Sequence, residues 1–178
     1  MLREEQFLPR EEPEASYLLI EQIMKDGARF MFNTSLKRIS KQDNVIKLNF
    51  TSKQTSKQLH TLEVDAILFA IGRTPNVEGM GLETAGVEYS PSDGIYSDKW
   101  LRTTNENVYA VGDCIAMEQS PELAQKNQSF GAGYQFTHNS DVHARSVIRN
   151  ALFYGSIDRT QSLLPWSTYT YPEIAHVG

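Results

Sequence analysis

Apolar positions recur at helical spacing over the first ordered stretch, where Leu19, Ile20, Ile23 and Met24 share one face downstream of Pro13. Proline suits the first helical position, because the N–H it lacks is one that a helix start leaves unbonded anyway. Glu11, Glu12 and Glu14 sit at the positive end of the helix dipole, and Asp26-Gly27 stops the run. The period then changes to two. Ala28–Asn33, Leu36–Ser40 and Val45–Phe50 predict strands, with Val45, Lys47 and Asn49 alternating with Ile46, Leu48 and Phe50. A polar turn at Thr51–Lys57 makes Leu36–Val64 an expected antiparallel meander with one face in water. Ala66–Ile71 is apolar on both faces and so predicts a strand inside a sheet. Arg73–Asp93 is rich in Gly, Pro and Asn without a sustained period, which marks a crossing between two bodies. Val108–Val111, bounded by Asn105–Asn107, predicts a short buried parallel strand. The longest predicted helix is Tyr134–Phe153, with Ala144, Val147, Ile148, Ala151 and Leu152 on its apolar stripe and Gly155 at its end. Before it, Ile115–Ala132 is about twice the length of an ordinary connection.

The 178 residues, 40% hydrophobic and 22% charged, leave room for a sizeable core. A formal net charge of −5 with no Lys/Arg cluster argues against a nucleic-acid partner. The longest unbroken apolar run, Ala66–Ile71, is too short to span a bilayer, and Met1–Glu14 has no apolar signal core. A cytoplasmic setting is the default expectation, with an organelle left open. The single cysteine, Cys114, can build neither an intramolecular disulfide nor a cysteine-based metal site. His60, His138, His143 and His176 show no zinc-ligand spacing, so no metal is expected.

The richest stretch chemically is Thr103–Asp113, Thr-Thr-Asn-Glu-Asn-Val-Tyr-Ala-Val-Gly-Asp. Gly112 removes the side chain where the backbone must turn or admit a ligand. Asp113 then stands past the strand's carboxyl end, where open α/β sheets place ligands and where a carboxylate accepts from sugar-like hydroxyls. For a bare Gly-Asp an Asx turn is the commoner explanation, and only the full string turns the reading towards a ligand. Gly131-Ala132-Gly133 gives the long helix a flexible entry, so the turn around Phe136, Thr137 and His138 presents N–H groups and a positive dipole end. An ordinary helix start is the other reading, and spacing from Asp113 does not choose between them.

The positions Thr103, Val108, Tyr109, Ala110, Gly112 and Asp113 resemble the second flavin-binding motif of the pyridine nucleotide-disulfide oxidoreductases. Ala70, Gly72, Arg73, Pro75 and Asn76 are similar to the string that leads out of that family's nicotinamide-binding domain. Gln135–His138 with Ala144-Arg145 and Asn150–Phe153, then Pro165-Trp166 and Tyr169–Gly178, resemble its mercuric-reductase-like and dihydrolipoamide-dehydrogenase-like members. Ser140 and Tyr171 depart from the mercuric-reductase-like pattern, where a small apolar residue and Asp are usual.

The resemblance implies an α/β fold: partial FAD/NAD(P)-binding Rossmann-like domains with an antiparallel meander, plus the first strand of an interface domain. Residues 1–72 would be the C-terminal half of the NAD(P)-binding domain, 73–160 the second FAD-binding segment, and 161–178 the start of the dimerisation domain. The implied cofactors are FAD and NAD or NADP. Asp113 with Gly112 would hold the ribityl hydroxyls, the amides around Phe136, Thr137 and His138 would face the flavin's pyrimidine edge, and Gly72 with Leu36 would border the nicotinamide dinucleotide. The whole enzyme would pass electrons from nicotinamide through flavin and a cysteine pair to a disulfide or metal-ion acceptor, as a homodimer acting on a small molecule. None of these residues is catalytic in that scheme. The family's two glycine-rich dinucleotide turns, its cysteine pair and its His-Glu pair have no counterpart. Gly79-Met80-Gly81 with Gly86 follows no strand and has Thr84 at the third glycine position. The chain therefore reads as a fragment expected to be inactive alone, the alternative being a non-catalytic remnant or binding module without cofactor.

Overall fold

The structure, a computed structural model, describes residues 5–53, 58–116, 135–153, 157–159 and 163–177. The chain forms two compact units, one of Met1–Ala70 with Ser167–His176 and the other of Ile71–Trp166 with Val177–Gly178. A short two-stranded sheet joins Pro165–Thr168 to Ile174–Val177.

In the first unit, helix α1 runs Pro13–Lys25, with Pro13 in its first turn and Asp26 at its C-cap. Leu19 is fully buried, whereas Met24, expected on the same face, is 56% exposed. Gly27 takes φ +98, the left-handed conformation in which helices end, and donates to the Met24 carbonyl. The predicted meander is present as β1 (Thr34–Gln42), β2 (Val45–Ser52) and β3 (Leu59–Val64), antiparallel in that order. Asp43 and Asn44, at φ +50 and +65, form the two-residue connection from β1 to β2. Positive φ at both positions matches the right-handed twist of the flanking strands. Leu48 and Phe50 face inward, while on the wet face Lys47 opposes Glu63 at 3.1 Å and Thr61 donates to Asn49 at 3.0 Å.

Two predicted strands are corrected. Ala28–Asn33 and Ala66–Ile71 belong to no described strand. A segment becomes a strand only when neighbours bond its edges, and no described strand pairs with either. Leu68 and Ile71 are each 90% exposed.

In the second unit, Val77, Leu82, Val87, Ile95, Leu101, Ala110 and Ile115 make the core. Arg73–Asp93 is thus more than a crossing, since three of its residues anchor that core through a succession of turns. Short strands β4 (Tyr89–Ser90) and β5 (Gly94–Ile95) pair antiparallel, and Ile95 bridges Ile115 in parallel. The expected parallel strand Val108–Val111 is instead held by an antiparallel bridge, Arg102 to Tyr109, with Ala110 buried and Val111 exposed. Helix α2 spans Thr137–Leu152 and presents Asn139, His143 and Ser146 to the interior. This corrects the predicted stripe: Val147 packs on the core, whereas Ile148 and Leu152 are 55% and 73% exposed. Burial follows what lies beside a helix, and here the polar side meets the core. Residues 117–134 lie outside the described residues, and with them most of the long Ile115–Ala132 connection and the Gly131–Gly133 entry.

Candidate functional site

Gly112 opens a single 3-10 turn, Gly112–Cys114, at φ +78, a conformation that favours glycine. A Cβ at Gly112 would lie 2.7 Å from the Ser140 hydroxyl and 3.1 Å from the Ser140 Cβ on α2, so a side chain there would require Ser140 to shift. Thr103, the first residue of the motif, is buried and works as a brace. Its hydroxyl donates to the Asn105 carbonyl at 3.0 Å and accepts from the Asn105 N–H at 3.2 Å, while its own N–H donates to the Val108 carbonyl. Asn105 and Thr104 donate in turn to the carbonyls of Ala85 and Gly86. The polar half of the string therefore fixes the loop that leads to Asp113.

Asp113 is the centre of a small polar arrangement. Its Oδ2 lies 3.5 Å from Arg73 Nη1, and Arg73 Nη2 donates to the Gln135 carbonyl at 2.6 Å. Its other oxygen, Oδ1, is buried and meets no hydrogen-bond donor among the described residues. Gln135 immediately precedes Phe136, the N-cap of α2, which supplies no side-chain cap. The Asn139 and Ser140 amides donate to the Phe136 carbonyl, and among the described residues the Thr137 and His138 amides remain the open donors of the first turn. No acidic side chain occupies that turn. Phe136 stacks on His138 with centroids 5.5 Å apart and on Trp166 at 6.0 Å, so the helix start carries an aromatic wall.

The expected positions thus fall as follows. Gly112, Asp113, Phe136, Thr137 and His138 gather in one unit, with Gly72 next to the bridging Arg73. Gly72 is exposed at φ +127 with open space where a Cβ would stand. Leu36 lies in the other unit, on β1, paired with Phe50 and 44% exposed. Reading the sequence missed the bridging role of Arg73, the contact of Ser140 and the stacking of Trp166, all of which depend on residues far apart in the chain. Cys114 Sγ points at the Val111 carbonyl at 3.2 Å, and burial pushes its thiol pKa up, which suits a packed residue better than a nucleophile. Among the described residues no group of three or more His, Cys, Asp or Glu could hold a metal ion. No helix among them is long and apolar enough to cross a membrane.

The profile of the pyridine nucleotide-disulphide oxidoreductases matches residues 1–131. The chain belongs to that family. Within the pyridine nucleotide-disulphide oxidoreductases it is 25% identical to a mercuric reductase of Staphylococcus aureus over 178 residues, covering 100% of this chain and 29% of that protein. It is 28% identical to a dihydrolipoyl dehydrogenase of Chlamydia muridarum over 174 residues, 98% of this chain and 32% of that one. Among solved structures, the HOCl-induced flavoprotein disulfide reductase RclA of Escherichia coli superposes with TM-score 0.75 at 28% identity, over 99% of this chain and 36% of that one. LpdA of Mycobacterium tuberculosis, at 23% identity and TM-score 0.76, shares the fold. The chain spans about a third of the length of these relatives.

Proposed function

We propose that this chain is part of an FAD-dependent NAD(P)H oxidoreductase that passes electrons from a nicotinamide cofactor through flavin to a disulfide or metal-ion acceptor. In this reading residues 1–72 belong to the nicotinamide domain, 73–160 to the second flavin-binding segment, and 161–178 to the start of a dimerisation domain. The observation that carries it is Asp113 Oδ1, a buried acceptor with no donor among the described residues, next to the α2 start. A buried carboxylate oxygen left unbonded costs roughly 1–3 kcal/mol, which a ligand hydroxyl would relieve.

The FAD residues fit that demand. Asp113 binds ribityl hydroxyls, with Gly112 leaving room for the turn to reach α2. The Thr137 and His138 amides, with the positive end of α2, stabilise negative charge on the flavin's pyrimidine edge by about 0.3–1 kcal/mol, and by more once water is excluded. Phe136 and Trp166 give that edge an apolar flank. Gly72 borders the nicotinamide dinucleotide. The flavin itself supplies acceptance of a hydride and onward transfer of electrons. Addition of FAD to the purified protein is the test: flavin fluorescence should be quenched, and Asp113→Asn should weaken binding by roughly tenfold. Unchanged fluorescence with the unsubstituted protein would sink the flavin reading for this chain.

A further inference from the structure

We infer that Arg73 is a positioning residue of the flavin site, locking the Asp113 turn to the start of α2 so that one carboxylate oxygen is held and the other is left for the ligand. The inference rests on the flavin reading above and adds a residue for which neither composition nor motif supplied a role. One guanidinium makes both contacts: Nη1 lies 3.5 Å from Asp113 Oδ2, and Nη2 donates to the Gln135 carbonyl at 2.6 Å. Gln135 is sixty-two positions away in sequence, so Arg73 joins elements that no local interaction could align.

The planar fork of arginine suits this task, since it reaches a carboxylate and a carbonyl at once with fixed geometry. Holding Oδ2 prevents Asp113 from turning both oxygens to solvent and keeps Oδ1 in its buried position. Holding the Gln135 carbonyl fixes the residue just before the Phe136 cap, and through it the direction of the Thr137 and His138 amides. As an exposed ion pair Arg73–Asp113 would add little to folding, with side chains 63% and 45% exposed. Its value lies in geometry.

The test compares Arg73→Gln and Arg73→Lys with the unsubstituted protein, alone and combined with Asp113→Asn, using FAD as the probe. Binding is read by flavin fluorescence, and the midpoint potential by dye-coupled reduction. Hydrogen exchange is read without flavin at the Asn139 and Ser140 amides, which donate to Phe136. Arg73→Gln should weaken FAD binding roughly tenfold and move the potential to more negative values. Arg73→Lys should recover part of the binding, because it keeps the charge facing Asp113. In the Asp113→Asn background the Arg73→Gln loss should largely vanish. Equal binding and potential in Arg73→Gln would overturn the inference. If the unsubstituted protein binds no flavin, the flavin reading fails by itself. Faster exchange at Asn139 and Ser140 in Arg73→Gln, reduced in Arg73→Lys and absent along α1, would then still support the lock. Unchanged exchange would refute it.

Discussion

Gly112 shows how one residue can be required twice. Its φ of +78 disfavours any L side chain, and its Cα faces Ser140 on α2. The serine hydroxyl can rotate away, so the backbone conformation carries most of the cost of a substitution. Gly112→Ala should lower stability by roughly 2 kcal/mol in urea unfolding, and adding Ser140→Ala should recover less than half of that loss. The need for glycine here was legible in the Gly-Asp pair; the identity of the neighbour was not. Thr103 is similar. Its place in the motif was readable, but its work is to brace Asn105, a local hydrogen-bond task that says nothing by itself about a ligand.

At the scale of elements, the boundaries were the most readable feature. Pro13 and Asp26-Gly27 bound α1 because capping acts over three or four residues, and the alternation of Val45–Phe50 places β2 because strand faces repeat every second residue. The buried side of α2 was misjudged, since its apolar stripe is partly exposed and its polar side meets the core. His143 sits on that side at 5% exposure, its Nδ1 without a hydrogen-bond partner among the described residues. Burial, followed by the positive charge of Arg159, lowers its pKa from 6.5 to about 4. The unfolded chain therefore binds the proton first as pH falls. The contribution of neutral His143 should be intact above about pH 6.5 and should decline by roughly 3 kcal/mol as pH drops towards 4. His143→Gln should flatten that part of the curve of unfolding free energy against pH; a parallel curve would show that the imidazole is not buried as a neutral group. Asn150, near the end of the same helix, ties it to distant backbone, donating to the Trp100 and Ile157 carbonyls and accepting from the Ile157 N–H.

For the molecule as a whole, the exposed apolar run is the dominant physical fact. Leu68 at 90% and Phe69 at 58% exposure give the isolated chain a surface that water disfavours. The isolated chain should bind an apolar dye such as anilinonaphthalene sulfonate and associate with rising concentration, and Leu68→Lys should cut dye binding by about half. Equal dye fluorescence in the variant would place the sticky surface elsewhere. What the sequence determined alone is whatever depends on near neighbours: the ends of α1, the alternation of the meander, the glycine before Asp113, and a family motif written in consecutive residues. Tertiary structure decided which of those features meet. Arg73 reaches Gln135 across sixty-two positions, Asn150 reaches Trp100 across fifty, and Ala66–Ile71 stays outside any described sheet despite its strand-like composition. Local periodicity specifies a conformation that a segment can adopt. Burial and partnership are properties of pairs of segments, set by which surfaces the folded chain brings within hydrogen-bond or van der Waals range.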